Sequence, residues 1–244
     1  MINCCKKLIH CATTIAASSI VSAMVTENNV ISDVDKRRPV FLTDQKSIAQ
    51  FVVWNLDTYL TKNPFIEPLM PLVSRIFHSS IVIDFPLSQY INSMQCEGID
   101  KKFFIHRDTI INNISSKGVD SATAEILSDR SLFGPAAEKL KLASTIDSPS
   151  DCARLITEGM KIAEELFVFV NGIPPEANQL MPLLATLFVL ADMKAPLSFG
   201  RWLASHLKPV IELRPDWFDD GQGARLEHFF QLNEWIVGML DELE

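Results

Sequence analysis

Three carboxylates, Asp216, Asp219 and Asp220, fall within the segment 216–223, DWFDDGQG. Carboxylates so closely spaced can ligate calcium or work as general acid and base. Their spacing fits no calcium loop, so a solvated turn is expected. The five histidines, at 10, 78, 106, 206 and 228, lie far apart. His206 and His228 are expected on helix surfaces or partly packed. The five cysteines, at 4, 5, 11, 96 and 152, form no CxxC pair and no Cys/His ladder. That pattern argues against a metal site and a disulfide framework, and favours a reducing compartment. The GxSxG elbow, the GxxxxGK[ST] loop, HExxH and GxGxxG are all absent. No cofactor is implied, and no hydrolase, transferase or oxidoreductase signature is present.

The chain has 244 residues, of which 48% are hydrophobic and 21% charged. That suits a soluble globular protein with one large domain or two small ones. The net charge of -8 argues against a nucleic-acid partner and against an anionic membrane surface. The best basic patch is DKRRP at 35–39, read as a solvated loop. The N-terminus has two lysines, a weakly apolar stretch diluted by Ser and Thr, then VSA. That outline fits either an exported chain with a cleaved signal peptide or a buried N-terminal helix. A cytoplasmic location is the expectation, with export the alternative.

The elements that would position any site are helical. Residues 44–61 carry Ile48, Phe51, Val52, Leu56, Tyr59 and Leu60 at helical steps. Three prolines, at 64, 68 and 71, make an irregular approach to a helix near 70–78. Residues 78–85 read as a helix end or loop, having no second strand to pair with. Further helices are expected at 86–94, 100–115, 120–129 (capped by Asp120) and 134–145, with Pro135 in a first turn. Ser148 should cap a long helix with Asp151 near its positive start and Cys152, Leu155, Ile156, Ile162, Ala163, Leu166, Phe167 and Val170 on its apolar side. Asn171-Gly172 and two prolines should stop it. Leu197 to Leu207 reads as a helix, the stretch from Lys208 as a broken segment, and Leu226 to Leu240 as the last helix. A boundary between 116 and 134 divides a region 1–116 from a module 117–244.

The apolar run from Leu180 to Ala191 is about twelve residues, short of the roughly twenty that cross a bilayer. No transmembrane span is expected. The run is apolar nearly all round, as in a helix buried on most sides. Pro182 cannot donate to the Asn178 carbonyl, so a distorted start is expected, with PPEANQ at the tip. An all-helical acidic chain without a reactive constellation points to protein–protein interaction.

From about 134 onward the sequence resembles the vacuolar-protein-sorting-nine (VPS-nine) domain family, exchange factors for early-endosomal Rab GTPases. The resemblance is carried by Pro135 with Lys139-Leu140, by ANQLMP at 177–182, by Ala195-Pro196 with Trp202, and by DGQG before the last helix. It implies an all-α fold, an N-terminal helical bundle followed by a layered VPS-nine-like module. It implies an acidic finger at the helix tip that competes with phosphate for the GTPase lysine, and an apolar groove that grips the switch regions. The finger position holds Asn178, with Pro182 four residues on and Glu176 able to supply a carboxylate. The family's tyrosine pair maps onto Ala224 and Arg225, with Glu227 in place of a threonine. Leu183, Thr186, Ala224 and Arg225 are the implied contacts. The expectation is exchange on an early-endosomal Rab-type GTPase, the alternative a helical adaptor without exchange activity. An effector version delivered into a host cell also fits this chain length.

Overall fold

A computed structural model describes residues 15–24, 45–69, 73, 97–116, 121–218 and 221–243. Among them every regular element is helical and no strand occurs, so the chain is all-α. The helices are α1 (Gln45–Lys62), α2 (Glu97–Ser116), α3 (Ser121–Ser128), α4 (Gly134–Ala143), α5 (Pro149–Asn171), α6 (Ala177–Leu190), α7 (Pro196–Leu213) and α8 (Gln222–Asp241). Residues 15–24 are also helical, and 3-10 turns lie at Pro64–Leu69, Arg130–Phe133 and Pro215–Trp217. The expected helix at 86–94, the 78–85 segment and, Val73 apart, the helix near 70–78 lie outside the described residues. So do Asp120, Asp219, Asp220 and the 35–39 loop.

Two compact units form, and they do not follow the 116/117 boundary. The first comprises Met1–Phe85, Ser148–Ser150 and Ser205–Asp219; the second comprises Pro86–Asp147, Asp151–Ala204 and Asp220–Glu244. The division falls inside α7.

In the first unit, Phe51, Val52, Leu56 and Tyr59 of α1 pack with Ala17, Val21, Met24, Ile66, Val73 and Val210. The expected helical steps of α1 thus face a core. Asp216 is not simply solvated. The Arg214 guanidinium donates to it at 2.9 and 2.7 Å and also to Asp57. Those Arg214 hydrogen bonds hold the Asp216 carboxyl below the ordinary carboxylate range. α7 does not break at Lys208 but runs through Pro209 to Leu213. An interior proline costs about 3 kcal/mol. Burial of Leu207, Val210 and Ile211 on that stretch is of the size needed to offset it.

The second unit is built round α6, which packs on α2, α3, α4, α8 and the 130–133 turn. Leu183, Leu184, Ala185, Leu187, Phe188 and Val189 are all fully buried. Aromatic rings tie α6 to its neighbours: Phe188 lies 6.0 Å from Phe103 and 5.7 Å from Phe229, centroid to centroid. Asp100 of α2 caps the start of α7, accepting from the Leu197 amide at 2.8 Å and from the Ser198 hydroxyl. Cys152 is buried, and its thiol donates towards the Ala143 and Ile146 carbonyls at 3.2 and 3.1 Å. Burial, with Asp151 and Asp147 nearby, pushes its pKa far up, so the thiol stays protonated and inert.

Gly200 leaves room for a side chain of α8. A Cβ there would lie 2.0 Å from the Asn233 amide nitrogen of α8, which donates to the Leu197 carbonyl at 3.4 Å. Gly200→Ala is expected to cost about 1–3 kcal/mol through overpacking. Gly238→Ala, where nothing lies within 4 Å, should instead gain up to about 1 kcal/mol of helix propensity. Urea midpoints of the two variants check both signs.

Candidate functional site

The site lies in the second unit where the end of α5 and the starts of α6 and α8 meet. α5 stops at Asn171, and the Gly172 amide donates to the Val168 carbonyl at 2.8 Å. Pro174 and Pro175 cannot continue a helix and turn the chain. Glu176, with ψ 166°, is then the N-cap of α6. Its amide donates to the Gln179 side chain at 2.8 Å, and its carbonyl accepts from Gln179 and Leu180 at 3.0 and 2.8 Å. The start of α6 is therefore regular, not distorted. Pro182 removes one donor, that of its own position, and the helix runs on past it to Leu190. Glu176 and Asn178 stand exposed at the tip, and Pro182 is half-buried.

α8 begins after Gly221, whose φ of 79° lies in the left-handed region. A Cβ at Gly221 would also crowd the Arg225 guanidinium, at 3.0 Å. Arg225 reaches across to α5 and forks onto Glu164, with contacts of 2.8, 3.1 and 3.1 Å. Both side chains are mostly shielded, at 25% and 21% exposure, so this two-toothed contact acts as a staple between α5 and α8. Ala224 is exposed beside it.

Between these elements runs a groove of about 530 Å³. Its apolar lining comes from Val168, Pro174, Pro175, Leu180 and Ala224. Its polar lining comes from Glu164, Arg225 and His228 and from Lys161 with Glu165, themselves 3.7 Å apart. Among its described lining residues no nucleophile sits beside a positioned base.

The fold brings some of the sequence-derived residues together and leaves others out. Ala224 and Arg225 line the groove, and Glu176 and Asn178 sit on the tip between its lining residues Pro175 and Leu180. Leu183 and Thr186 do not face it. They are 0% and 1% exposed, on the part of α6 that its neighbours enclose, and offer no surface to a partner. His206, expected on a helix surface or partly packed, is fully buried at 1% exposure. Val170, expected on the apolar side of α5, is 45% exposed. Sequence reasoning missed Glu164, because its partner lies on a helix far along the chain and no local pattern joins them. It also missed the exposed α5 end, for which FVFV directly before Asn-Gly was the available signal.

Among the described residues no three His, Cys, Asp or Glu side chains group to hold a metal ion. No described helix is long and apolar enough to cross a membrane. No family model matches the chain, and no curated protein matches it.

Removing one member of the staple strands a partly buried charge. Arg225→Met is expected to cost about 1–3 kcal/mol, and the double variant Glu164→Met/Arg225→Met to cost less than the single. Denaturant midpoints of the two singles and the double measure the coupling; strictly additive losses would show that the fork contributes nothing.

Proposed function

We propose that this chain is a guanine nucleotide exchange factor, its groove taking a small GTPase of the early-endosomal Rab group and promoting GDP release. One observation carries the reading. The exposed residues Glu176 and Asn178 lie in the chain between Pro175 and Leu180, which line the same groove as Ala224 and Arg225. These are two stretches far apart in sequence that the VPS-nine resemblance assigns to one GTPase-binding surface. An overall charge of -8 and an acidic tip residue, Glu176, also suit a partner site that holds phosphate with lysine.

The mechanism needs no covalent step. The groove binds the nucleotide-free GTPase more tightly than the loaded form, and that difference in affinity drives release. Asn178 offers its amide oxygen to a lysine, and Glu176 supplies negative charge one residue outside the helix. On this reading the second unit is a VPS-nine-like module acting in the cytoplasm at endosomal membranes, or in a host cell as a delivered effector. Asn178 favours a second reading, a GTPase-binding adaptor without exchange activity, because an amide brings no charge to displace phosphate.

Release of fluorescent GDP from a panel of purified Rab GTPases tests both. Acceleration on early-endosomal members alone is expected. Asn178→Ala should slow it about tenfold, the weight of one hydrogen bond to a charged group, and Glu176→Gln should slow it further in low salt. Tight binding of nucleotide-free GTPase with no acceleration would select the adaptor. No binding at all would remove both readings.

A further inference from the structure

The last turn of α5 is apolar on sides that a soluble helix normally keeps polar. Phe167 is buried at 1%, but Val168, Phe169, Val170 and Ile173 stand 38%, 87%, 45% and 60% exposed. Apolar side chains clustered in this way on a soluble surface mark a contact site. Val168 and Pro174 line the groove, and Phe169 and Ile173 are their immediate neighbours in the chain.

Charge decides what covers it. Glu164 is spent on Arg225, and Lys161 is balanced by Glu165 one turn before Phe169. Glu176 beyond the prolines is exposed and, while capping α6, adds a negative charge beside Ile173 and the two prolines. A second copy would bring the same carboxylates face to face, against a net charge of -8 on each chain. An anionic bilayer would be repelled for the same reason. The complementary surface is an apolar hollow with a lysine or arginine at its edge.

We infer that Phe169, with Ile173 beside it, is a second anchor for the partner of the groove, seating in an apolar hollow on that GTPase flanked by a basic side chain. The inference rests on the proposed GTPase reading. It adds a contact on α5 to those on α6 and α8.

The test is calorimetric titration of the full chain with purified early-endosomal Rab-type GTPases, stripped of nucleotide, one at a time. Phe169→Ser, Ile173→Ser and the conservative Phe169→Leu are compared with the unaltered chain. Phe169 is surface-exposed, so an unchanged melting curve for each variant is the control for folding. Phe169→Ser is expected to weaken binding about tenfold or more, as for a buried aromatic anchor, while Phe169→Leu keeps most of the affinity. Rising salt should weaken the unaltered chain. Equal affinity for Phe169→Ser would overturn the inference and leave the exchange reading standing. Absence of binding by the unaltered chain would overturn both. Two parallel measurements carry the competing occupants: flotation with phosphatidylcholine vesicles, and sedimentation equilibrium. Flotation, or a dimer, that Phe169→Ser abolishes would overturn the GTPase contact in favour of a lipid surface or a second copy.

Discussion

A helix that is apolar on nearly every side must be enclosed on nearly every side. α6 imposes that condition on the second unit. All seven of its residues from Leu183 to Val189 are fully buried, at about 1.5–3 kcal/mol for each large apolar side chain taken out of water. α2, α3, α4 and α8 are the elements that enclose it. The ring contacts of Phe188 with Phe103 and Phe229 fix where two of them lie. Asp100 then joins α2 to the start of α7 by capping it. The placement of these helices is a consequence of hiding one apolar cylinder.

Enclosure fails at the N-terminal tip of α6, over its first turn and a half. The chain arrives there through two prolines and an extended Glu176, and its first residues are polar. Polar residues need no cover, so the neighbouring helices can draw apart, and the groove opens there. The Glu164–Arg225 fork holds α5 and α8 at that distance without filling the gap. Rigid backing and an open tip thus arise from the same helix. A surface set on elements packed this tightly keeps its shape without a partner, which lowers the entropy cost of binding.

Much of this was legible in the residues. The steps of Phe51, Val52, Leu56 and Tyr59 forecast the buried face of α1, and the length of the apolar run marked α6 as a core helix instead of a span. Asn-Gly followed by two prolines marked the end of α5. Other features were not legible, for identifiable physical reasons. The resemblance supplied positions along α6 but not its rotation, so Leu183 and Thr186 were read as contacts although they face the core. Pro209 reads locally as a breaker, but Leu207, Val210 and Ile211 around it are buried in the fold, which local sequence does not show. The fork joins residues on separate helices, which no window of local sequence contains. Phe169 and Ile173 have the residue types of a core, and sequence does not say where a helix outruns the body that covers it.

The first unit's core draws on stretches far apart in the chain: 15–24, 51–69, Val73, and Val210, with Phe218 packed beside it. The last two are synthesised only after α2 to α6 have been made. Until then α1 carries an apolar face whose final covering residues do not yet exist. The second unit's central helix and most of its neighbours emerge earlier, so on the ribosome the earlier part of the chain waits for the later part. A fragment beginning at residue 117 would carry Val210 and Phe218 without the residues that cover them. Its stickiness in solution would come from that severed core and not from the groove.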